Sequence, residues 1–309
     1  MNALENIFAE SMTESASKQT YYTIRLLVDR ERAADAYCAY AYFRWVDDTL
    51  DEGFVTSTKR LAFLERQKSL LQSCFQGDFP RDASVEENML IELVRKDQNE
   101  NSGLQLYLRN MMQVMDFDAQ RRGKLISQAE LNEYTRWLAI AVTEAMHYFI
   151  GHNSYSPHDE TRYLAVSAAH ITHMLRDTFD DLEAGYYNIP REVLEANHIA
   201  PQDIRSKAYC AWVKSRVQLA RSCFQAGKDY LARVEERCCQ LTGIAYTARF
   251  EWVLDTIERE DYCLRPDYSE RKSFEAGVQM GLSILSSVLN THRTRLRPQP
   301  VISHSLREL

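Results

Sequence analysis

Helical patterning runs through this sequence with almost nothing to interrupt it. Ten glycines and seven prolines are few for 309 residues, and both residues are costly inside a helix. Apolar positions recur at spacings of three and four, and no stretch alternates as a strand does. Helices packed on helices are the architecture such patterning allows. Helices are expected at 19–29, 32–52, 57–76, 84–97, 104–121, 128–150, 159–184, 203–226, 229–238, 241–261 and 272–291. Ser84 with Glu87, and Ser127 with Glu130, have the spacing of capping boxes. Polar breaks fall at "QGDFPRDA", "DQNENSG", "GHNSYSPHDE" and "GYYNIPREVLEANHIAPQD". No low-complexity linker divides the chain. One all-α domain over 1–292 is expected, with 293–309 as a disordered tail.

Composition narrows the partners. A net charge of −7, with no run of Lys and Arg, argues against nucleic acid. Seven scattered cysteines without a C-x-x-C pair read as reduced thiols rather than a disulfide framework or zinc site. The N-terminal residues lack the basic and apolar regions of a secretion signal. The longest apolar helix, "FEAGVQMGLSILSSVLN", falls short of the roughly 20 residues that span a bilayer. A cytoplasmic protein with at most peripheral membrane contact is expected, and the sequence sets no oligomeric state.

One helix ends in a way its own dipole opposes. "FRWVDDTLDE" carries Asp47, Asp48 and Asp51 near the C-terminal end of the 32–52 helix, where the macrodipole disfavours acids. Asp47 and Asp51 lie one turn apart on a shared face, with Arg44 a turn earlier and Tyr40 continuing the stripe. Far along the chain, "AAHITHMLRDTFDDLEAG" repeats the pattern with Asp177 and Asp181, Arg176 before them, and His170 and His173 on the preceding turns. Paired carboxylates of this kind suit Mg²⁺, which takes few protein oxygens and shares itself with substrate phosphates. Two such clusters across a helix-lined cavity would hold metal-bridged diphosphate. Ionising a carbon–oxygen bond to diphosphate needs that neutralisation, together with an apolar pocket that keeps water from the carbocation. Acid-rich helix faces are more often simply solvated; the matched spacing and flanking arginines favour the chemical reading.

At these residues the chain resembles the squalene/phytoene synthase family. "YAYFRWVDDTLDE" looks like its first aspartate-rich motif and "MLRDTFDDLEAGYYNIPRE" like its second. "SKQTYYTIRLL" from Ser17 is similar to the N-terminal flap, "ELNEYTRWLAIAVTEAM" to the middle helix, and "ARFEWVLDTIEREDY" to the late helix. The resemblance implies an all-α isoprenoid (terpenoid) synthase fold, a single helical bundle around a central cavity. It implies Mg²⁺-dependent joining of two allylic diphosphates, with Mn²⁺ as an alternative. Asp47, Asp48 and Asp51 would hold metal for one diphosphate, and Asp177 and Asp181, with His173 at a ligand position, for the other. Arg44 and Tyr40 match contacts to diphosphate and carbocation. Ser17, Tyr21, Tyr134, His170, Arg176, Phe250 and Arg265 match substrate-binding positions.

Several positions depart from the family pattern. His173 stands where a metal-binding Asn is usual, and His170 where Gln is. Imidazole suits Zn, Mn or Fe better than Mg; alternatively, both histidines hydrogen-bond diphosphate or a neighbouring carboxylate. Tyr186 replaces an arginine, Thr143 replaces a glycine, and Phe250 replaces a tyrosine found in some members. "MDFDAQRRG", with Asp116, Asp118, Arg121 and Arg122, reads either as part of the site or as a helix-end charge cluster. The expected activity is head-to-head condensation of farnesyl or geranylgeranyl diphosphate to a C30 or C40 hydrocarbon, with any use of NADPH left open. Phe43, Trp45, Trp137 and Thr143 favour the shorter substrate. The rivals are a cyclase or transferase acting on one prenyl diphosphate, and a silent family member serving in assembly.

Overall fold

The computed structural model describes residues 3–52, 56–97, 99–151 and 154–268. The expected helix at 272–291 and the tail from 293 lie outside them. Among the described residues there are twelve helices and no strand. They form two compact units, one drawn from Met1–Gln120 and Glu144–His152, the other from Arg121–Thr143 and Asn153–Leu309.

The first unit is built on α3 (Arg30–Glu52), against which α1 (Ala3–Ala16), α2 (Lys18–Leu27) and α5 (Val85–Lys96) pack, with α4 (Ser57–Phe75) beside α5. A helix apolar on most of its circumference is a core helix. Accordingly Tyr37, Cys38, Ala41, Tyr42, Phe43 and Val46 of α3 are all buried. Phe43 meets Tyr42 and Tyr107 edge-on, while Trp45 meets Phe63 in the same way. One of its buried carboxylates, Glu87, is fully compensated. Glu87 closes the capping box with Ser84 and accepts from Arg66 at 2.7 and 2.9 Å and from Gln67 at 2.9 Å. These bonds, led by Arg66, hold its carboxyl down at about 2. Next in the chain is α6 (Gly103–Arg121).

In the second unit α8 (Leu164–Arg176) is buried along nearly its whole length, against α11 (Lys207–Leu231) and α12 (Arg237–Arg259). A methyl group built on Gly227 would stand 2.6 Å from the backbone nitrogen and Cβ of Ala165. That contact joins the end of α11 to the start of α8. At the other end, Tyr209 near the start of α11 hydrogen-bonds with Thr178 and feels the charge of Asp181. The two helices therefore run antiparallel. α7 (Gln128–Phe149) begins with the expected cap, in which Ser127 Oγ accepts from Glu130 N and Glu130 accepts from Ser127 N.

Three expectations about the helices need correction. The stretch 159–184 is two helices, α8 and α9 (Thr178–Ala184), broken at Asp177. The Thr178 hydroxyl donates back to Met174 O at 2.9 Å and Leu175 O at 3.1 Å, a local bond that bends helices. The expected break near Gly227 does not occur, because α11 runs through it. α1 and α10 (Arg191–Asn197) occupy stretches expected to be irregular.

Candidate active site

The first unit gathers its polar residues around the C-terminal half of α3. Arg44 Nε donates to Asp48 at 3.0 Å, with a second, shorter bond beside it, and Arg44 Nη1 lies 3.4 Å from Asp47. Asp47 is nonetheless pushed up to about 6, by burial first and then by the charges of Asp51, Asp118 and Asp48, against the pull of Arg44. Asp118, on α6, thus lies within electrostatic reach of Asp47. Asp116 instead pairs with Lys68 at 3.5 Å.

Tyr40 hydrogen-bonds with Ser17 and Thr20, which are 2.9 Å apart at the start of α2, and burial raises its hydroxyl. Ser17 is also the N-cap of α2. The flap residue and the α3 tyrosine therefore meet. Tyr21 is packed instead: Arg25 donates to its hydroxyl at 2.6 Å and its ring lies against Tyr37.

The second unit gathers a different set. Arg176 grips both carboxylate oxygens of Asp177, and His173 Nε2 is 3.2 Å from the same group. His173 is thus in contact with a neighbouring carboxylate. Asp181 accepts from Asn188 Nδ2 at 2.6 Å, and Asn188 Oδ1 accepts from Arg121 at 2.8 Å. Arg121 is buried, its guanidinium 4.9 Å from the ring centres of both Tyr134 and Tyr186, close enough for cation–π attraction. Where the family pattern has arginine, this chain has Tyr186, stacked on an arginine from another helix. Tyr134 also meets the buried His170 edge-on. Burial, then the charges of His173, Arg121 and Arg216, push His170 well below its ordinary value, so it is neutral.

Phe250 lies on α12 with its ring 5.3 Å from Tyr246 and 6.4 Å from His173, and Arg249 stands over both Phe250 and Tyr246. A tyrosine is therefore present one turn before the position where some relatives carry it. Arg265 pairs with Glu260 at 2.9 Å. Arg121 belongs to the "MDFDAQRRG" stretch noted in the sequence, whereas no local pattern marks Asn188, Tyr246 or Arg249.

Among the described residues no three His, Cys, Asp or Glu side chains converge closely enough to hold a metal ion unaided. Asp47, raised by burial first and then by neighbouring acids, still fits a hard cation, because an added positive charge favours the ionised carboxylate against both. No helix among the described residues is long and apolar enough to cross a membrane.

An all-α chain with two aspartate-rich helix faces, each flanked by arginine and tyrosine, defines an isoprenoid-synthase type of protein. The sequence matches the family described as squalene/phytoene synthase over residues 13–273, and the chain belongs to that family. It is accordingly a prenyltransferase-type enzyme. No curated protein matches it. Among solved structures it is similar to squalene synthase HpnC from Alicyclobacillus acidocaldarius, with TM-score 0.68 and 20% identity over 84% of this chain and 95% of that one. It is similar also to a dehydrosqualene synthase in complex with ligand, with TM-score 0.68 and 17% identity over 93% of this chain and 97% of that one. Both likenesses show the isoprenoid-synthase fold.

Proposed function

We propose that this enzyme joins two allylic prenyl diphosphates head to head, through a cyclopropylcarbinyl diphosphate, to a squalene-, dehydrosqualene- or phytoene-type hydrocarbon. Farnesyl diphosphate is the preferred substrate. The reading treats residues 1–292 as one synthase domain in function. The observation that supports it is that Asp47 lies within electrostatic reach of Asp51, Asp118 and Asp48, a concentration of carboxylates of the sort that recruits a cation and, through it, a diphosphate.

Asp47, Asp48 and Asp51 would hold Mg²⁺ for one diphosphate, and Asp177 and Asp181 for the other. The ion, when bound, supplies the positive charge that lets diphosphate leave. The protein's own groups do the rest. Arg44 and Arg176 orient the carboxylates and present further donors to phosphate oxygens. The rings of Tyr134, Tyr246 and Phe250 offer π faces to a carbocation. His170, neutral and without a hydrogen bond, carries no charge to repel that cation.

The test is direct. Purified protein with Mg²⁺ should release pyrophosphate from farnesyl diphosphate and form a C30 hydrocarbon identified by mass, with and without NADPH. A C15 product would assign cyclisation instead, and no release from farnesyl or geranylgeranyl diphosphate would refute the reading.

A further inference from the structure

The interface between α8 and α11 contains polar atoms that have nothing to bind. Arg216, on α11, is only 6% exposed, and its Nη2 has no hydrogen-bond partner. Among the described residues no carboxylate acts on it: burial pulls the guanidinium down to about 10, against a small upward influence of the Cys223 thiol. At about 10 it remains a cation near neutral pH. One turn before it, Trp212 is 8% exposed with its indole Nε1 also unpartnered. Spacing of four residues puts the two donors on one face of α11. Across from them on α8, His170 is 5% exposed with Nε2 unpartnered, and it feels the Arg216 charge. The antiparallel pairing places these groups between the Tyr209–Thr178 contact and the Gly227–Ala165 contact. They therefore lie beyond Asp177 and Asp181, inside the second unit.

Buried cations are normally paired, because leaving one unpaired costs more than almost any other arrangement. Two further unsatisfied polar atoms at the same interface compound that cost. A methionine at 216 would remove the charge and keep most of the packing. We propose that Arg216, with Trp212 Nε1 and His170 Nε2, forms a buried subsite for a phosphoryl anion, filled when substrate or its leaving group is bound and distinct from the two aspartate clusters. Its place in turnover rests on the function proposed above. The subsite needs no metal, because its own guanidinium and N–H groups supply the charge and donors.

The metal requirement gives the test. Protein stripped with EDTA, in which the aspartate clusters only repel anions, is titrated with inorganic pyrophosphate by calorimetry. A second titration uses a prenyl S-thiolodiphosphate that cannot ionise. Wild-type protein should bind at least one of them. Arg216→Met should weaken that binding about tenfold or more, as loss of a charged hydrogen bond does. It should also raise the melting temperature of the ligand-free protein, since an unpaired buried charge is gone; an arginine serving only the fold would lower it. Arg216→Gln covers a methionine variant that fails to fold, and Trp212→Phe should weaken binding a fewfold with the ring retained. Loss of the prenyl analogue alone assigns the substrate's diphosphate, and loss of both probes the released one. Unchanged binding in both Arg216 variants, or no metal-free binding by wild type, overturns the subsite. Turnover assayed with Mg²⁺ on the same wild-type protein separates that result from failure of the synthase reading.

Discussion

Asp181 accepts a 2.6 Å hydrogen bond from the side-chain amide of Asn188. The same amide's oxygen accepts from Arg121, so Asn188 ties an acid of the second motif to a guanidinium held between two tyrosine rings. Asn188→Leu leaves Arg121 buried without its acceptor and frees Asp181 to rotate. Stability should fall by about 1–3 kcal/mol, read by thermal or urea unfolding. Pyrophosphate release from farnesyl diphosphate should drop by about an order of magnitude if Asp181 needs that anchor. Unfolding that changes while turnover does not would confine Asn188 to a structural role.

Asp47 carries the clearest charge imbalance in the first unit. Asp47→Asn removes the repulsion among Asp47, Asp51 and Asp118 together with a ligand for metal. The variant should melt no lower than wild type, since its neighbours lose a like charge. Its pyrophosphate release should nevertheless fall by about 10²–10³-fold, the scale of losing one electrostatic stabiliser. Asp177→Asn should lose activity comparably but gain no stability, because Arg176 and His173 already compensate Asp177. Variants with full turnover would show that neither aspartate takes part in the reaction, whereas variants that lose turnover yet keep the protein's cellular role would favour the silent, assembly-type reading.

Much of this arrangement is legible in the sequence, and the failures have physical causes. The acid cluster of α3 follows from spacing alone, since i,i+4 pairs share a helix face, whereas Asp177 sits at the junction of two helices rather than on one face with Asp181. The capping boxes at Ser84 and Ser127 are local devices, readable from three residues. The break at Asp177 is hidden because the helical period continues across it, and the bond that bends the chain comes from a threonine hydroxyl. Gly227 reads as a helix stop; its actual role is to let α11 approach Ala165, which only tertiary structure reveals. Glu236 caps α12, and glutamate is not a residue expected there. Asn188 escapes a local reading for the same reason: its partner Arg121 lies 67 residues away in sequence.

The Gly227 contact can be tested by itself. Gly227→Ala would put a methyl 2.6 Å from backbone atoms of Ala165, and backbone cannot swing aside as a side chain can. The helices must separate, at about 2–3 kcal/mol for overpacking. A fall of several degrees in melting temperature is expected, with turnover reduced because α8 carries the second motif's arginine. Equal melting of variant and wild type would mean that the α8–α11 approach is looser than described.

Glu87 sets the acid limit of the first unit. Its carboxyl sits at about 2 when folded, against an ordinary 4.5. A depressed value contributes stability that is complete above the unfolded value and is lost as pH falls from about 4.5 toward 2. The shift alone corresponds to about 3 kcal/mol; Arg66 is 56% exposed, so solvent screening reduces this to about 2. Glu87→Gln keeps the shape and some of the hydrogen bonds but not the charge. It should destabilise the protein by about that amount at pH 7, and the gap should close as pH falls below the unfolded value. Urea unfolding of both proteins at pH 7 and pH 3 measures it, and a gap that widens in acid would show that another carboxylate governs the unit's acid sensitivity.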